Sequence, residues 1–418
     1  MSGAMPRLGK DFRESFALVT ETDEVLREDT MLALRQLHAA VAAFNAHQAT
    51  DNGEEAEYCA KVAIRALLGH VDGLSYTLRQ VVVRSARQAG LTIPARKLAE
   101  LMERKFDSNA DAILEEEKLI STEASLKAGA AWFPRLFGAE FRLDTDGEGF
   151  RGFKRLVTVR NAFTHPEELE HLYPTPALPA IQPTIVWFLA QMRDMFGACA
   201  SKLGFPVPPP EKVALEYPYR EKDHPLVPIF SPDDVREIRR VAGRTYEYVK
   251  MMVVKSSRDV SRALDSVLHA NSPLPSHAYQ YAVRNAVRTL FSEVEARTGA
   301  TVFFLEAAEE RGEITLSEAA KASLSGGAVE DNFVNALTIF SREYGCDRHL
   351  ATSGKSWQLF QGARLFRDRL THPKGPPSLN VDPQAAIGFL EAVKYFHGST
   401  DALKLDVEKC IAKRRVAE

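Results

Sequence analysis

Two seven-residue stretches decide how this chain reads: Arg160-Asn161-Ala162-Phe163-Thr164-His165-Pro166 and Arg367-Asp368-Arg369-Leu370-Thr371-His372-Pro373. They are 367 − 160 = 207 positions apart, and six of their seven positions are identical or similar. The same offset holds without a gap when Leu126–His165 is set against Phe333–His372. Phe133 then meets Phe340, Arg135 meets Arg342, Phe137-Gly138 meets Tyr344-Gly345, Gly147 meets Gly354, Phe150 meets Trp357 and Phe153 meets Phe360. Apolar matches alone carry little weight, because any two amphipathic helices share a period. The Arg, Thr and His at matching places carry more. Further upstream, Ile64-Arg65, Leu67-Leu68, Val71 and Asp72 meet Val287-Arg288, Leu290-Phe291, Val294 and Glu295 at an offset of 223, so the intervening loop is 223 − 207 = 16 residues longer in the first copy.

Around these stretches the apolar residues keep a helical period. Leu34, Leu37, Val41 and Phe44 alternate steps of three and four with Arg and Gln between them, the pattern of an amphipathic helix. The spacing predicts helices over about 25–44, 57–89, 95–104, 110–138, 150–164 and 183–203. After these come 233–269, 277–298, 329–344, 356–371, 383–397 and 401–414. Alternating β-branched runs are almost absent. Between Gly204 and Pro228 stand seven prolines, Pro206, Pro208, Pro209, Pro210, Pro218, Pro225 and Pro228, which remove backbone donors and stop a helix. Ser231-Pro232-Asp233-Asp234 then has the composition of a helix start. The expectation is an all-α chain of two tandem helical bundles related by internal duplication: an N-terminal extension 1–19, a first domain 20–203, a Pro-rich linker 204–230 and a second domain 231–415.

Composition fits a globular chain. Of 418 residues 45% are apolar and 26% charged, too apolar for a disordered segment. The formal charge of −3 argues against a surface that grips polyanions everywhere, though not against a local basic groove. Cys59, Cys199, Cys346 and Cys410 have no paired spacing, so neither a disulfide framework nor a zinc-ligand set is expected. Arg7, Lys10, Asp11, Arg13 and Glu14 precede any apolar run, unlike a signal peptide. With no membrane-length apolar run either, the expected location is cytoplasmic.

The motif has chemical content of its own. A proline biases the preceding residue out of the helical region, so His165 and His372 are expected at or just past a helix C-terminus, where the negative dipole end favours an imidazolium. Imidazole can take or give a proton near neutral pH. Arg160 and Arg367 supply forked, permanently charged guanidinium groups suited to phosphate. A five-residue separation turns Arg and His roughly 140° apart on a straight helix, so one copy alone is poorly placed to enclose a phosphate.

Arg, a polar residue, three more residues, then His at a helix end in an α-helical chain resembles the HEPN domain superfamily. The resemblance implies bundles of four or five helices that pair to build one composite site, and metal-independent RNA cleavage of the kind found in toxins and antiviral defence proteins. It implies Arg160, His165, Arg367 and His372 as the catalytic groups, with Asn161 and Asp368 orienting them. One histidine would deprotonate the ribose 2′-OH and the other protonate the leaving 5′-oxygen, with the arginines on the phosphate. Thr164 and Thr371 are supporting positions and equally good helix-end residues.

Two basic segments agree with an RNA partner. Gly149–His165 holds Arg151, Lys154, Arg155 and Arg160 without an acid, and Ser353–Lys374 holds Lys355, Arg364, Arg367, Arg369 and Lys374 against Asp368 alone. Of these, Lys154, Arg155, Arg364, Arg369 and Lys374 are the expected RNA-binding positions. Tyr173 and Trp187 offer rings for stacking on bases, although Trp187 beside Ile185, Phe188 and Leu189 reads as core. No metal or cofactor is expected. A regulatory protein or a second copy of the chain is a possible partner, and a non-catalytic RNA- or nucleotide-binding protein and an α-helical scaffold are the competing readings.

Overall fold

A computed structural model of the chain describes residues 10–47, 50–118, 120–164, 174, 177–205, 246–270, 276–324, 329–346, 349–373, 375–381 and 383–417. The expected linker from 206 onward, the helix start at Ser231 and Tyr173 lie outside them. Contacts divide the chain into two compact units. The first comprises Met1–Thr158, Pro176–Leu226 and Arg369–Asn380; the second comprises Val159–Thr175, Val227–Asp368 and Val381–Glu418. Relative to the expected domains, 159–175 groups with the later unit and 369–380 with the earlier one.

In the first unit, α1 (Lys10–His47) and α2 (Thr50–Ser85) pack along each other. Leu26, Leu34, Leu37 and Val41 on α1 and Ile64, Leu67, Leu68, Val71, Leu74 and Leu78 on α2 are all buried, as their spacing requires. α1 starts ten residues ahead of the expected domain start. Phe12 and Phe16 fall within it and are buried, with Phe16 against Phe137, Phe196 and Phe205 at ring separations of 5.7, 6.2 and 6.0 Å.

A short α3 (Ala95–Leu101) leads into an antiparallel hairpin, β1 (Arg104–Asp107) and β2 (Ala112–Glu117), before α4 (Thr122–Leu136). The continuous helical pattern expected over 110–138 is therefore corrected: its first part is a strand. The cause is turn chemistry. Asp107 Oδ1 accepts from the Asn109 and Ala110 amides at 2.8 and 3.3 Å, and Asp111 takes φ of 49°, which reverses the chain before a helix can form. Ser121 then caps α4 by accepting from the Ala124 amide at 3.2 Å. α5 (Glu148–Thr164), as far as Thr158, and α6 (Leu178–Leu203) complete the unit's long helices. Trp187 on α6 packs on Phe150 and Phe153 of α5 at 5.7 and 6.0 Å, so its ring belongs to the core.

The second unit is built from α7 (Tyr246–His269), α8 (His277–Glu310), α9 (Glu318–Leu324), α10 (Val329–Glu343) and α11 (Lys355–Thr371) as far as Asp368. A one-turn α12 (Pro376–Leu379) falls in the first unit, and α13 (Pro383–Ala417) closes the second. Val287, Leu290, Phe291 and Val294 on α8 are buried, as are Phe333, Phe360 and Phe396. α13 is one helix where two were expected. The helix runs through Gly398-Ser399 to the buried Thr400, which meets Arg297 on α8 and whose hydroxyl donates to the Phe396 carbonyl at 2.7 Å. Among the described residues no helix is long and apolar enough to cross a membrane.

α4 and α10 end alike. Gly138 and Gly345 take φ of 64° and 70°, conformations that glycine reaches without a Cβ penalty. In each, the glycine amide donates to an arginine carbonyl (Arg135, 3.1 Å; Arg342, 3.0 Å). The following amide reaches one residue further back (Ala139 to Pro134, 3.0 Å; Cys346 to Ser341, 2.8 Å), the Schellman pattern of helix termination.

Candidate functional site

α5 and α11 each carry one Arg-x4-His motif at their C-terminal end. Both helices are seventeen residues long, and both motif threonines, Thr164 and Thr371, are their last residues. His372 is thus the first residue past α11, where the carbonyl end of the helix lies. His165 holds the same chain position after α5, but it lies outside the described residues, as does Lys374.

In the first unit, α2 holds the segment that carries His372. Pro373 is buried, and its carbonyl accepts from Thr77 Oγ1 at 3.3 Å. A Cβ on Gly73 would sit 3.2 Å from the Pro373 ring and 3.1 Å from Leu26, so glycine is what lets the proline approach α2. The exposed His372 imidazole packs edge-on to Tyr76, with ring centres 5.0 Å apart. Tyr76 in turn lies under the buried Arg79 guanidinium, 5.8 Å away. Arg79 is itself fixed by the Leu101 carbonyl at 3.0 Å and Glu103 at 2.9 Å. The motif pointed to the histidine but not to Gly73, Tyr76 and Thr77; a glycine inside a strongly apolar helix was the one available signal.

In the second unit, Arg367 is gripped from three sides. Its Nη1 donates to Glu295 Oε1 at 3.1 Å, its Nη2 to Asp368 Oδ1 at 2.9 Å, and its guanidinium lies 5.3 Å from the Phe291 ring centre. Glu295 is the α8 residue that pairs with Asp72 in the sequence repeat, and its role as a partner of the motif arginine is visible only in three dimensions. Arg160 is half-buried and donates from Nε to Asn161 Oδ1 at 3.0 Å. Both motif arginines therefore bond to the polar residue that follows them.

The expected RNA-binding residues divide. Arg364 is paired with Glu330 at 2.8 Å. Lys154 lies on the exposed side of α5, 5.8 Å from the Phe150 ring centre, and Arg155 and Arg369 are exposed as well. Thus three of the five sit where a polyanion can reach them.

Two buried polar clusters occupy matching places on the long inner helices, 293 − 70 = 223 positions apart. On α2, the fully buried His70 bonds Asp23 at 2.9 Å through Nε2 and lies 3.3 Å from Thr30 Oγ1 through Nδ1. On α8, Glu293 accepts from Ser257 at 2.6 Å and from Arg297 at 2.8 Å, and its other oxygen is 3.3 Å from His397 Nε2. Burial pushes the Glu293 carboxyl up, but the His397 bond and the Arg297 charge outweigh it and hold it below the usual carboxylate range. His397 Nδ1 lies 3.3 Å from Arg297 Nη2, which suits the tautomer with its proton on Nε2. Among the described residues no group of three or more His, Cys, Asp or Glu is arranged to hold a metal ion.

A scan against protein-family models and searches of curated proteins and of solved structures found no match to this chain.

Proposed function

We propose that this chain is a HEPN-like, metal-independent endoribonuclease, of the kind that acts in toxin or antiviral-defence systems, and that its two halves are copies of one helical domain. The observation that carries the reading is the repetition of the motif on helices whose ends repeat at the sequence offset. α4 and α10 start 329 − 122 = 207 and end 343 − 136 = 207 residues apart, and α5 and α11 do the same at 355 − 148 = 207 and 371 − 164 = 207. Coincidental periodicity aligns apolar faces; it gives no reason for starts, stops and terminating glycines to coincide.

In this reading His372 and His165 divide general base and general acid between them. The base takes the 2′-OH proton, the ribose oxygen attacks the adjacent phosphorus in line, and the acid protonates the departing 5′-oxygen, leaving a 2′,3′-cyclic phosphate. Arg160 and Arg367 stabilise the charge gathering on the phosphate oxygens. An exposed imidazole just past a helix end, seated against Tyr76, suits such proton exchange with a bound substrate.

A second reading draws on one specific observation. Arg367 already has two carboxylate partners, so the second half-site suits binding without cleavage as well. Incubation of the purified chain with mixed RNA in EDTA separates the two. Cyclic-phosphate ends that disappear in His165→Ala and His372→Ala support the nuclease. Intact RNA, with binding weakened by Arg160→Ala or Arg367→Ala, supports the binding protein. Neither cleavage nor binding leaves a helical scaffold for protein partners.

A further inference from the structure

Four cysteines without paired spacing gave no reason to expect a thiol pair, yet the fold of the second unit brings two of them together. Cys346 follows Gly345 at the Schellman end of α10, where its amide is bonded to the Ser341 carbonyl at 2.8 Å and its carbonyl accepts from Ser341 Oγ at 2.9 Å. Its backbone is therefore held at both polar groups. Cys410 lies near the end of α13, 64 residues later, and its Sγ is 2.9 Å from Cys346 Sγ. Both are thiols in this structure; Cys346 is buried and Cys410 is partly exposed. The other two cysteines, Cys59 and Cys199, are both buried, and burial pushes the Cys199 thiol up to about 12, which keeps it from forming the reactive thiolate.

We propose that Cys346 and Cys410 are an oxidation site: a dithiol that peroxide converts to a disulfide, tying α13 to the end of α10. The asymmetry in exposure sets the order of events. The Cys410 thiolate, on the accessible side, attacks one oxygen of hydrogen peroxide; an S–O bond forms, the O–O bond breaks, and the departing hydroxide leaves as water with the thiol proton. The Cys346 sulfur then attacks the Cys410 sulfenic sulfur, expelling a second hydroxide that takes the Cys346 proton. Two thiols and one peroxide thus become one disulfide and two waters. A soft metal ion is a less apt occupant, because no third His, Cys, Asp or Glu ligand joins the pair among the described residues.

The consequence is mechanical. α13 also brings His397, Thr400 and Asp401 to the Arg297 cluster. A bond closing a 64-residue loop restricts the unfolded chain and holds α13 in place. The proposal stands whether or not the chain cleaves RNA.

The test treats the reduced full-length chain with hydrogen peroxide, blocks residual thiols with N-ethylmaleimide and maps the peptides under non-reducing conditions. The expected result is a crosslinked Cys346–Cys410 peptide short of two hydrogens. The thermal midpoint should rise by about 5–10 °C, reversibly with dithiothreitol. Cys346→Ser and Cys410→Ser should each abolish both changes, whereas Cys59→Ser should leave them intact. Sulfinic acid at Cys410, or a Cys410–Cys410 dimer, with no Cys346–Cys410 peptide would overturn the proposal. The peptide map of the wild-type chain decides the matter even if a serine variant folds poorly.

Discussion

α5 and α11 are the same length and bury the same aromatic face, yet they finish their motifs differently. Phe150 and Phe153 are buried on one, Trp357 and Phe360 on the other. The residue after the motif arginine, however, is an amide on α5 and a carboxylate on α11. Arg367 adds a second carboxylate, Glu295, and the Phe291 ring. The inner helices repeat the contrast. Where α2 buries His70 with Asp23, α8 buries Glu293 with Arg297 and His397. Buried aromatic positions correspond in the two units, whereas the buried polar chemistry differs. A core tolerates little change in volume, whereas a buried charge is acceptable in any arrangement that pairs it.

The largest effect should come from the inner clusters. Glu293→Ala leaves the buried Arg297 without its principal counter-charge and should cost about 3–5 kcal/mol, read as a lower urea midpoint. His70→Ala removes the contacts to Asp23 and Thr30 but leaves no buried guanidinium without its carboxylate, and should cost about half as much. Equal losses would erase the contrast between the units. The clusters should also differ in acid. The Glu293 carboxyl is held low in the folded chain, so its contribution is present above the unfolded carboxylate range and is lost as pH falls through the folded value. Urea midpoints of wild type and Glu293→Gln should therefore converge as pH is lowered; a constant gap would contradict this.

The shared core should match the larger of these losses. Phe153→Ala and Phe360→Ala each empty a fully buried ring site and should each cost about 3–5 kcal/mol. Calorimetry on the two variants should find similar losses, and a difference beyond about 2 kcal/mol would break the equivalence of α5 and α11. The smallest effects concern the motif arginines. Under the proposed function, Arg160→Ala and Arg367→Ala should each lower the salt slope of RNA binding by about one, and Glu295→Gln should tighten binding by releasing Arg367. Tighter binding in Arg367→Ala would place that guanidinium outside the phosphate contacts.

The helical class and most helix positions were legible because apolar spacing survives whatever the tertiary context. The ends of α5 and α11 fell within two residues of expectation, since Gly147, Gly354 and the Thr-His-Pro sequence punctuate them. The hairpin was not legible. Ile113-Leu114 fits either period, and the decisive Asp107-Ser108-Asn109 turn works through side-chain bonds that periodicity does not register. The expected break between 397 and 401 failed for the opposite reason: long-range burial of Thr400 overrode the local weakness of Gly398-Ser399. At the site, sequence supplied the arginines and His372 but not what holds them. Glu295 against Arg367, Tyr76 against His372 and Cys346 against Cys410 are meetings of residues far apart in the chain, and single-sequence spacing carries no record of them.

The most direct test of the central claim is the chemistry of the RNA ends. Purified chain is incubated with RNA in EDTA, and the 3′ termini are assayed for 2′,3′-cyclic phosphate, for wild type and for His372→Ala. Cyclic ends are expected from the wild type, with a loss of at least about 100-fold in the variant. Undiminished cleavage by His372→Ala, or ends that carry a 3′-hydroxyl, would contradict that claim.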